Sequence, residues 1–275
     1  MPRKSYLIIG GAGEAGQSAI EFLKLYDPDC MLIATTSENS NIPGADLILK
    51  NIKAGPELVG QVKDGFETNR ISGELETIIY TPALGEVGFP VKESTQESIE
   101  SALGISYYPM LDLETFFSPK QTIGYSAFYW LPHTLAFYGA MGFVKYKMDE
   151  WAISSPEKRK IIRAGTFFSK SVRGISIVLQ RTMKSTLDPD LLQLKESYLS
   201  SGKKFQEFFL DYAWSHEKEF GQAAGFGSEY RPTTRADLSR GLGNILNRSE
   251  PIATVLGDWD WYESALPSLP AWFKV

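Results

Sequence analysis

One cysteine and two histidines are all that 275 residues contain of the residues that build most zinc sites. Cys30 alone can form neither an intramolecular disulfide nor a cysteine-ligated zinc cluster. His133 and His216 are too few for a histidine-rich metal centre. Asp258 and Asp260 would share one face of a strand but have no further ligand nearby in the sequence, so no metal is expected. No uninterrupted apolar run approaches the roughly 18 to 20 residues needed to cross a bilayer, so a membrane is not expected as a partner. A basic excess is lacking too: the formal charge is −5, which argues against nucleic acid. The sequence shows no internal repeat and no low-complexity tract. Its opening segment, residues 5–9, has the pattern of a strand rather than of a cleavable signal, which points to a cytoplasmic enzyme.

What is present is an alternation of short apolar runs with amphipathic stretches. Strands are expected at residues 5–9, 31–34, 46–49, 75–80, 121–128 and 159–165, with a last one at 252–256. Helices are expected between them, at 18–23, 56–62, 93–117 and 234–238, and one spanning Tyr138 and Lys145. This order predicts an α/β fold, a Rossmann-type doubly wound parallel sheet with helices on both faces, as one domain over residues 1–275. Residues 169–228 are too long for a simple crossover and turn helical, with Leu191, Leu192, Leu194, Tyr198 and Phe205 spaced for one buried face. They are expected to form a helical, substrate-covering insert. Trp259, Trp261, Trp272 and Phe273 near the end of the chain are expected to pack against the body or a second subunit.

Glycines at three-residue intervals, Gly10, Gly13 and Gly16, fall between the first strand and the first helix. Glycine permits a tight turn and lets the backbone approach a pyrophosphate, while the helix N-terminus offers unpaired N–H groups and a partial positive charge. Gly10, Gly13, Glu14, Ala15 and Gly16 are therefore candidate cofactor contacts, for NADP or NAD. An NAD-preferring site usually has an acid at the end of the second strand. Here Thr36 and Ser37 stand there and Glu38 is the first acid, which tilts the expectation toward NADP without an arginine to settle it.

Tyr138 and Lys145 are separated by six residues. On one helix, positions seven apart return to within about 20° of each other, so both heads would face one cleft and the ammonium would help the phenol act as a proton donor. Lys147 would point away.

This constellation resembles the short-chain dehydrogenase/reductase superfamily. The usual pair there has a lysine four residues after the tyrosine; here that position is Gly142. The longer gap, and the run from Tyr138 through Lys145 to Asp149 and Glu150, resemble the enoyl-acyl-carrier-protein reductase branch. Gly104-Ile105-Ser106-Tyr107-Tyr108 is similar to that branch's preceding serine-tyrosine segment. The resemblance covers residues 5–168 and 233–238. It departs at the glycine turn, which is closer to extended or atypical members, and in the long insert, which carries no alignable motif.

The resemblance implies an NAD(P)H-dependent oxidoreductase acting on a small-molecule substrate, with an enoyl thioester as the leading case. Lys145 would bind the nicotinamide ribose and Tyr138 would stabilise the carbonyl oxygen. Tyr125 and Ser126 would line the site. Pro82 and Ala83 would wall the cofactor, and Gly165 and Thr166 would approach the nicotinamide amide. A homo-oligomer is usual in the superfamily. The alternatives are a carbonyl reductase, a sugar-nucleotide-modifying enzyme, or a non-catalytic NAD(P)-sensing regulator. Residue by residue, plainer roles compete: Tyr138 as an aromatic on an apolar helix, His133 in a surface or capping position, His216 exposed, and residues 157–160 as a solvated basic turn.

Overall fold

The computed structural model describes residues 3–227 and 229–274; Ser228, at the end of the expected insert, and Met1, Pro2 and Val275, at the ends of the expected domain, lie outside the described residues. Seven strands run parallel: β1 (Ser5–Ile9), β2 (Met31–Thr35), β3 (Leu47–Leu49), β4 (Thr77–Tyr80), β5 (Gln121–Ala127), β6 (Arg159–Ala164) and β7 (Ile252–Leu256). An antiparallel edge strand that the sequence pattern had not signalled, β8 (Trp259–Glu263), folds back on β7. It turns at Gly257, whose φ of +57° and distance of 2.3 Å from a would-be Cβ to the Arg231 carbonyl oxygen leave room for no side chain. The order across the sheet is β3-β2-β1-β4-β5-β6-β7-β8. Strand order therefore reverses between β1 and β4, and a crevice opens there beyond the carboxyl ends of the strands.

Alternate strand residues feed two cores. Leu7 and Ile9 of β1 and Ile78 and Tyr80 of β4 face α2 (Leu58–Asn69), α3 (Gln96–Ser106), α4 (Tyr108–Phe117) and α6 (Met141–Ser154). Tyr6, Ile8 and Ile79 face α1 (Glu14–Tyr26) and α10 (Arg235–Ile245). Because both faces are covered, the central strands are almost uniformly buried, as the apolar runs require. Helix starts follow local chemistry. Thr95 caps α3 by accepting from the Ser98 N–H, and Thr234 and Asp237 form a capping box at α10.

Between β6 and α10 run three helices, α7 (Lys170–Thr182), α8 (Pro189–Ser201) and α9 (Phe205–Ala223), which share a core that includes Leu179, Leu191, Leu194, Phe205 and Phe209. Of the expected buried face, Leu192 departs and stays exposed. Of the terminal aromatics, Trp259 and Trp261 pack around Phe226, and Phe273 packs against Tyr129 and Phe143. Trp272 departs from the expectation and stays exposed, its ring beside that of Phe273. Residues 157–160 are not a uniformly solvated turn. Lys160 is buried on β6 with its ammonium on the carbonyls of Arg248 and Glu250, and Arg159 is paired with Glu114. Among the described residues no helix is long and apolar enough to cross a membrane.

Candidate active site

The glycine turn joins β1 to α1 at the reversal point. Gly10 adopts φ +80°, and a Cβ on Gly16 would lie 2.4 Å from the Gly10 carbonyl oxygen, so these positions can be only glycine if α1 is to pack this close. Gly13 is the N-cap of α1 and supplies no side-chain cap, which leaves the first helical N–H groups facing the crevice. The Thr35 hydroxyl accepts the Gly10 N–H at 3.1 Å and fixes the turn to the end of β2. Glu14, at the first position of α1, is held by Arg235, whose Nη2 lies 2.7 Å from its carboxylate.

A cavity of about 390 Å³ runs from Gly13, Glu14 and Ala15 past Ala83 to Tyr125, Ser126, Tyr138 and Lys145, and on to Gly165 and Thr166. It brings together all four residues expected to be catalytic and most of those expected to bind cofactor. Gly10 and Gly16 shape the turn behind its wall, and Thr36, Ser37 and Pro82 are not among its lining residues. Thr36 is buried, its hydroxyl within 3.2 Å of the Ser40 hydroxyl and accepting the Glu38 N–H, whereas Ser37 is exposed. The segment after β4 is pinned by Ser106, which bonds both the N–H and the carbonyl of Leu84, at 2.7 and 2.6 Å.

Tyr138 and Lys145 do not share a helix. A short α5 (Pro132–Phe137) ends at Tyr138, Gly139 takes φ +48°, and α6 starts at Met141. The cause is residues 86–89, which run alongside as a strand-like partner. Gly88 N–H donates to the Phe137 carbonyl, Gly139 N–H to Phe89, and Ala140 N–H to Glu86. A Cβ at Gly139 would sit 2.6 Å from the Glu86 carbonyl oxygen. The seven-residue helical geometry is therefore not what joins the pair; the break is, because it turns Tyr138 into the cavity that Lys145 enters from α6.

Lys145 is buried, and its ammonium donates to the Tyr125 carbonyl at 2.8 Å. Burial pushes its pKa down to about 8, with the nearby Asp149 charge opposing the shift. Tyr138 is pushed up to about 12 by burial alone, so Lys145 does not lower the phenol. Lys147 points away and pairs with Glu150. At the end of β5 the side chains alternate: the Tyr125 hydroxyl turns to Ser18 on α1, 3.3 Å away, while the Ser126 hydroxyl is buried at the cavity wall without a hydrogen-bond partner. Asp149 of α6 and Arg163 of β6 form a fully buried ion pair of 2.7 Å, and Arg163 also reaches Glu263 of β8.

The histidines are placed otherwise than expected. His133 is fully buried on α5 and His216 is half-buried on α9, their rings stacked 5.4 Å apart. Beside them is a residue that sequence reasoning passed over. Glu217 lines the cavity, is 1% exposed, and accepts the Thr166 N–H at 2.6 Å and the Tyr230 hydroxyl at 2.8 Å. Desolvation raises its pKa to about 7. The signal existed: Phe205, Phe209, Ala213, Glu217 and Gly221 recur every four residues along α9, which sets an acid in an apolar stripe. The Thr166 carbonyl is taken as well, by Trp214 Nε1 at 2.9 Å. Thr166 is thus tied to α9 through both backbone groups. Asp258 and Asp260 are engaged by Arg231 and Arg240.

No family model and no curated protein matches the chain. Solved structures do match its fold. An NADPH-dependent reductase involved in bacilysin biosynthesis superposes with a TM-score of 0.57 at 11% identity, over 94% of this chain and 99% of that one. This chain shares the fold of that reductase. An enoyl-(acyl-carrier-protein) reductase from Anaplasma phagocytophilum, in complex with NAD, gives 0.56 at 14% identity, over 88% and 85%. A short-chain dehydrogenase from Leptospira borgpetersenii with bound NAD+ gives 0.55 at 12%, over 93% and 92%. At these identities the likeness is one of fold.

Proposed function

We propose that the chain is an NAD(P)H-dependent oxidoreductase that reduces an activated double bond, with an enoyl thioester as the leading substrate. The observation behind this reading is the single cavity that joins the uncapped N-terminus of α1 to Tyr138, Ser126 and Lys145. The residues fit a dinucleotide: the glycine cradle would be filled by any Cβ at Gly16, and helix N–H groups face the place where a pyrophosphate would lie. Solved proteins of this fold include ones crystallised with NAD and one described as NADPH-dependent, which supports either cofactor. The exposed Ser37 hydroxyl at the end of β2 favours a 2′-phosphate.

When bound, NAD(P)H supplies a hydride. Gly13, Glu14 and Ala15 would hold the phosphates through their backbone, with Arg235 neutralising the Glu14 carboxylate that would otherwise oppose them. Lys145 would reach the nicotinamide ribose from α6, and Ala83 would line the cofactor. The Tyr138 hydroxyl makes no hydrogen bond with the described residues and is available to the substrate carbonyl oxygen, where it would stabilise developing negative charge. Phe137, Met141, Val172, Ile175 and Phe209 keep the inner part of the cavity apolar and would exclude water from the reacting carbon.

Reduction of a carbonyl at the same site is the second reading, favoured by the unpartnered Ser126 hydroxyl, which could hold a ketone oxygen. NADH and NADPH oxidation with a crotonyl thioester and with a panel of ketones separates the two. Tight cofactor binding with no turnover of either class would instead support a sensor of the cofactor.

A further inference from the structure

Reduction of a conjugated double bond needs a hydride at one carbon, a hydrogen-bond donor at the carbonyl oxygen and a proton at the other carbon. Tyr138, raised to about 12, is suited to the second task and poorly suited to losing a proton near neutrality. We propose that Glu217 of α9 is the general acid of this cavity, giving its carboxyl proton to the substrate; the inference rests on the reductase reading.

The geometry assigns the proton to one oxygen. Glu217 Oε1 accepts the Thr166 N–H at 2.6 Å, and a backbone N–H can only donate. Oε2 is the oxygen left to bear the proton. Its partner is the Tyr230 hydroxyl at 2.8 Å, which can reverse from donor to acceptor. Gly165 makes room for it: a Cβ there would lie 3.2 Å from Oε2, and Gly165 itself lines the cavity.

The surroundings favour the neutral carboxyl. No lysine or arginine among the described residues pairs with Glu217. The group facing it from α5 is His133, whose Nε2 is 3.9 Å from Oε1. Burial and the neighbouring His216 push His133 down to about 3, so it stands as a neutral ring near pH 7. The other ionisable groups of the cavity are Lys145 on α6, Tyr138 at the end of α5, Tyr125 on β5, whose phenol burial pushes up, and Glu14 at the opposite end, paired with Arg235. Neither His133 nitrogen has a hydrogen-bond partner. A shift of under about 1 Å would bring its Nε2 into bonding range of Glu217, so the ring can steady the carboxylate left after transfer.

The step balances. Hydride from NAD(P)H forms a C–H bond at the electrophilic carbon, and the π pair moves to the enolate held by Tyr138. That carbanion equivalent takes the proton from Oε2, whose O–H bond pair stays on Glu217 as carboxylate. NAD(P)H, when bound, would supply the two electrons that the substrate gains, and Glu217 would recover its proton from solvent.

The test uses the isosteric Glu217→Gln, which keeps an acceptor for the Thr166 N–H. With the substrate that wild type reduces, kcat should fall by about 100-fold, while NAD(P)H affinity and KM stay within about twofold. Wild-type kcat should decline as pH rises through about 7, because the acid form is lost, and the variant should lack that limb. A second readout needs no turnover: carbon NMR of the apo chain, assigned with the same variant, should show the Glu217 carboxyl titrating near neutrality. Ionisation in the ordinary carboxylate range would overturn the proposal, as would a variant with unchanged kcat and pH limb. An inactive wild type would remove the reductase reading and this inference with it. An active wild type beside an unaltered variant would remove the inference alone.

Discussion

The Lys145 ammonium is anchored on the backbone carbonyl of Tyr125, 2.8 Å away, at the point where β5 gives out and the cavity begins. A charge held inside an apolar wall by one carbonyl is poised between two states. It is costly as an ammonium, and in the proposed function it is the group that would meet the nicotinamide ribose.

The folded-state pKa of Lys145 lies near 8, below its ordinary 10.5. Between these values the unfolded chain binds the proton that the folded chain has lost, so this group makes stability rise with pH across that window. Lys145→Met removes the effect. Urea unfolding should show the variant more stable than wild type near pH 7, by on the order of 2 kcal/mol, with the difference closing by about pH 10.5. A pH-independent difference would show that Lys145 is not held as a depressed cation. The same variant should lose about tenfold or more in NAD(P)H affinity if the ammonium meets the ribose.

Gly139 is the hinge that turns Tyr138 inward. Gly139→Ala meets both a left-handed φ of +48° and the Glu86 carbonyl oxygen at 2.6 Å. It should destabilise the fold by roughly 1–3 kcal/mol and lower kcat more than it weakens cofactor binding. Thermal unfolding and steady-state kinetics read the two effects separately. Equal stability with normal turnover would mean that the break between α5 and α6 does not position the tyrosine.

Gly16→Ala tests the other end of the cavity. Its methyl would press on the Gly10 carbonyl at 2.4 Å, so α1 must move away from the turn. Calorimetric titration should show NADPH and NADH affinity reduced by more than about tenfold, with the melting temperature also lowered. Unchanged affinity for both would place the dinucleotide elsewhere.

Much of the frame was legible in sequence because parallel strands buried on both faces are nearly continuous apolar runs, such as residues 6–9 and 31–34. The glycine turn was legible for the same kind of reason, since steric need leaves a residue-type mark. β8 was hidden by its polar, half-buried composition, Trp-Asp-Trp-Tyr-Glu, which has no uniform apolar side. The break at Gly139 was hidden because its cause is long-range: the partner is residues 86–89, some fifty positions earlier, and no local pattern announces that pairing. Glu217 was legible in principle, as the one acid on a four-residue ladder of buried positions in α9. His133 was misjudged for a related reason. A histidine two residues into a short helix after Pro132 looks like surface until α9 is packed over it.

The proposed function has a nicotinamide and a reducible substrate meet beside Tyr138. Nicotinamide absorbance, followed with wild type and Tyr138→Phe under NADH and NADPH, with the crotonyl thioester and the ketone panel, tests it most directly. Wild type should oxidise one of the two cofactors in a substrate-dependent manner, and Tyr138→Phe should be slowed by about 100-fold or more with cofactor affinity retained. Substrate-dependent oxidation that is undiminished in Tyr138→Phe would mean that the reaction does not use Tyr138.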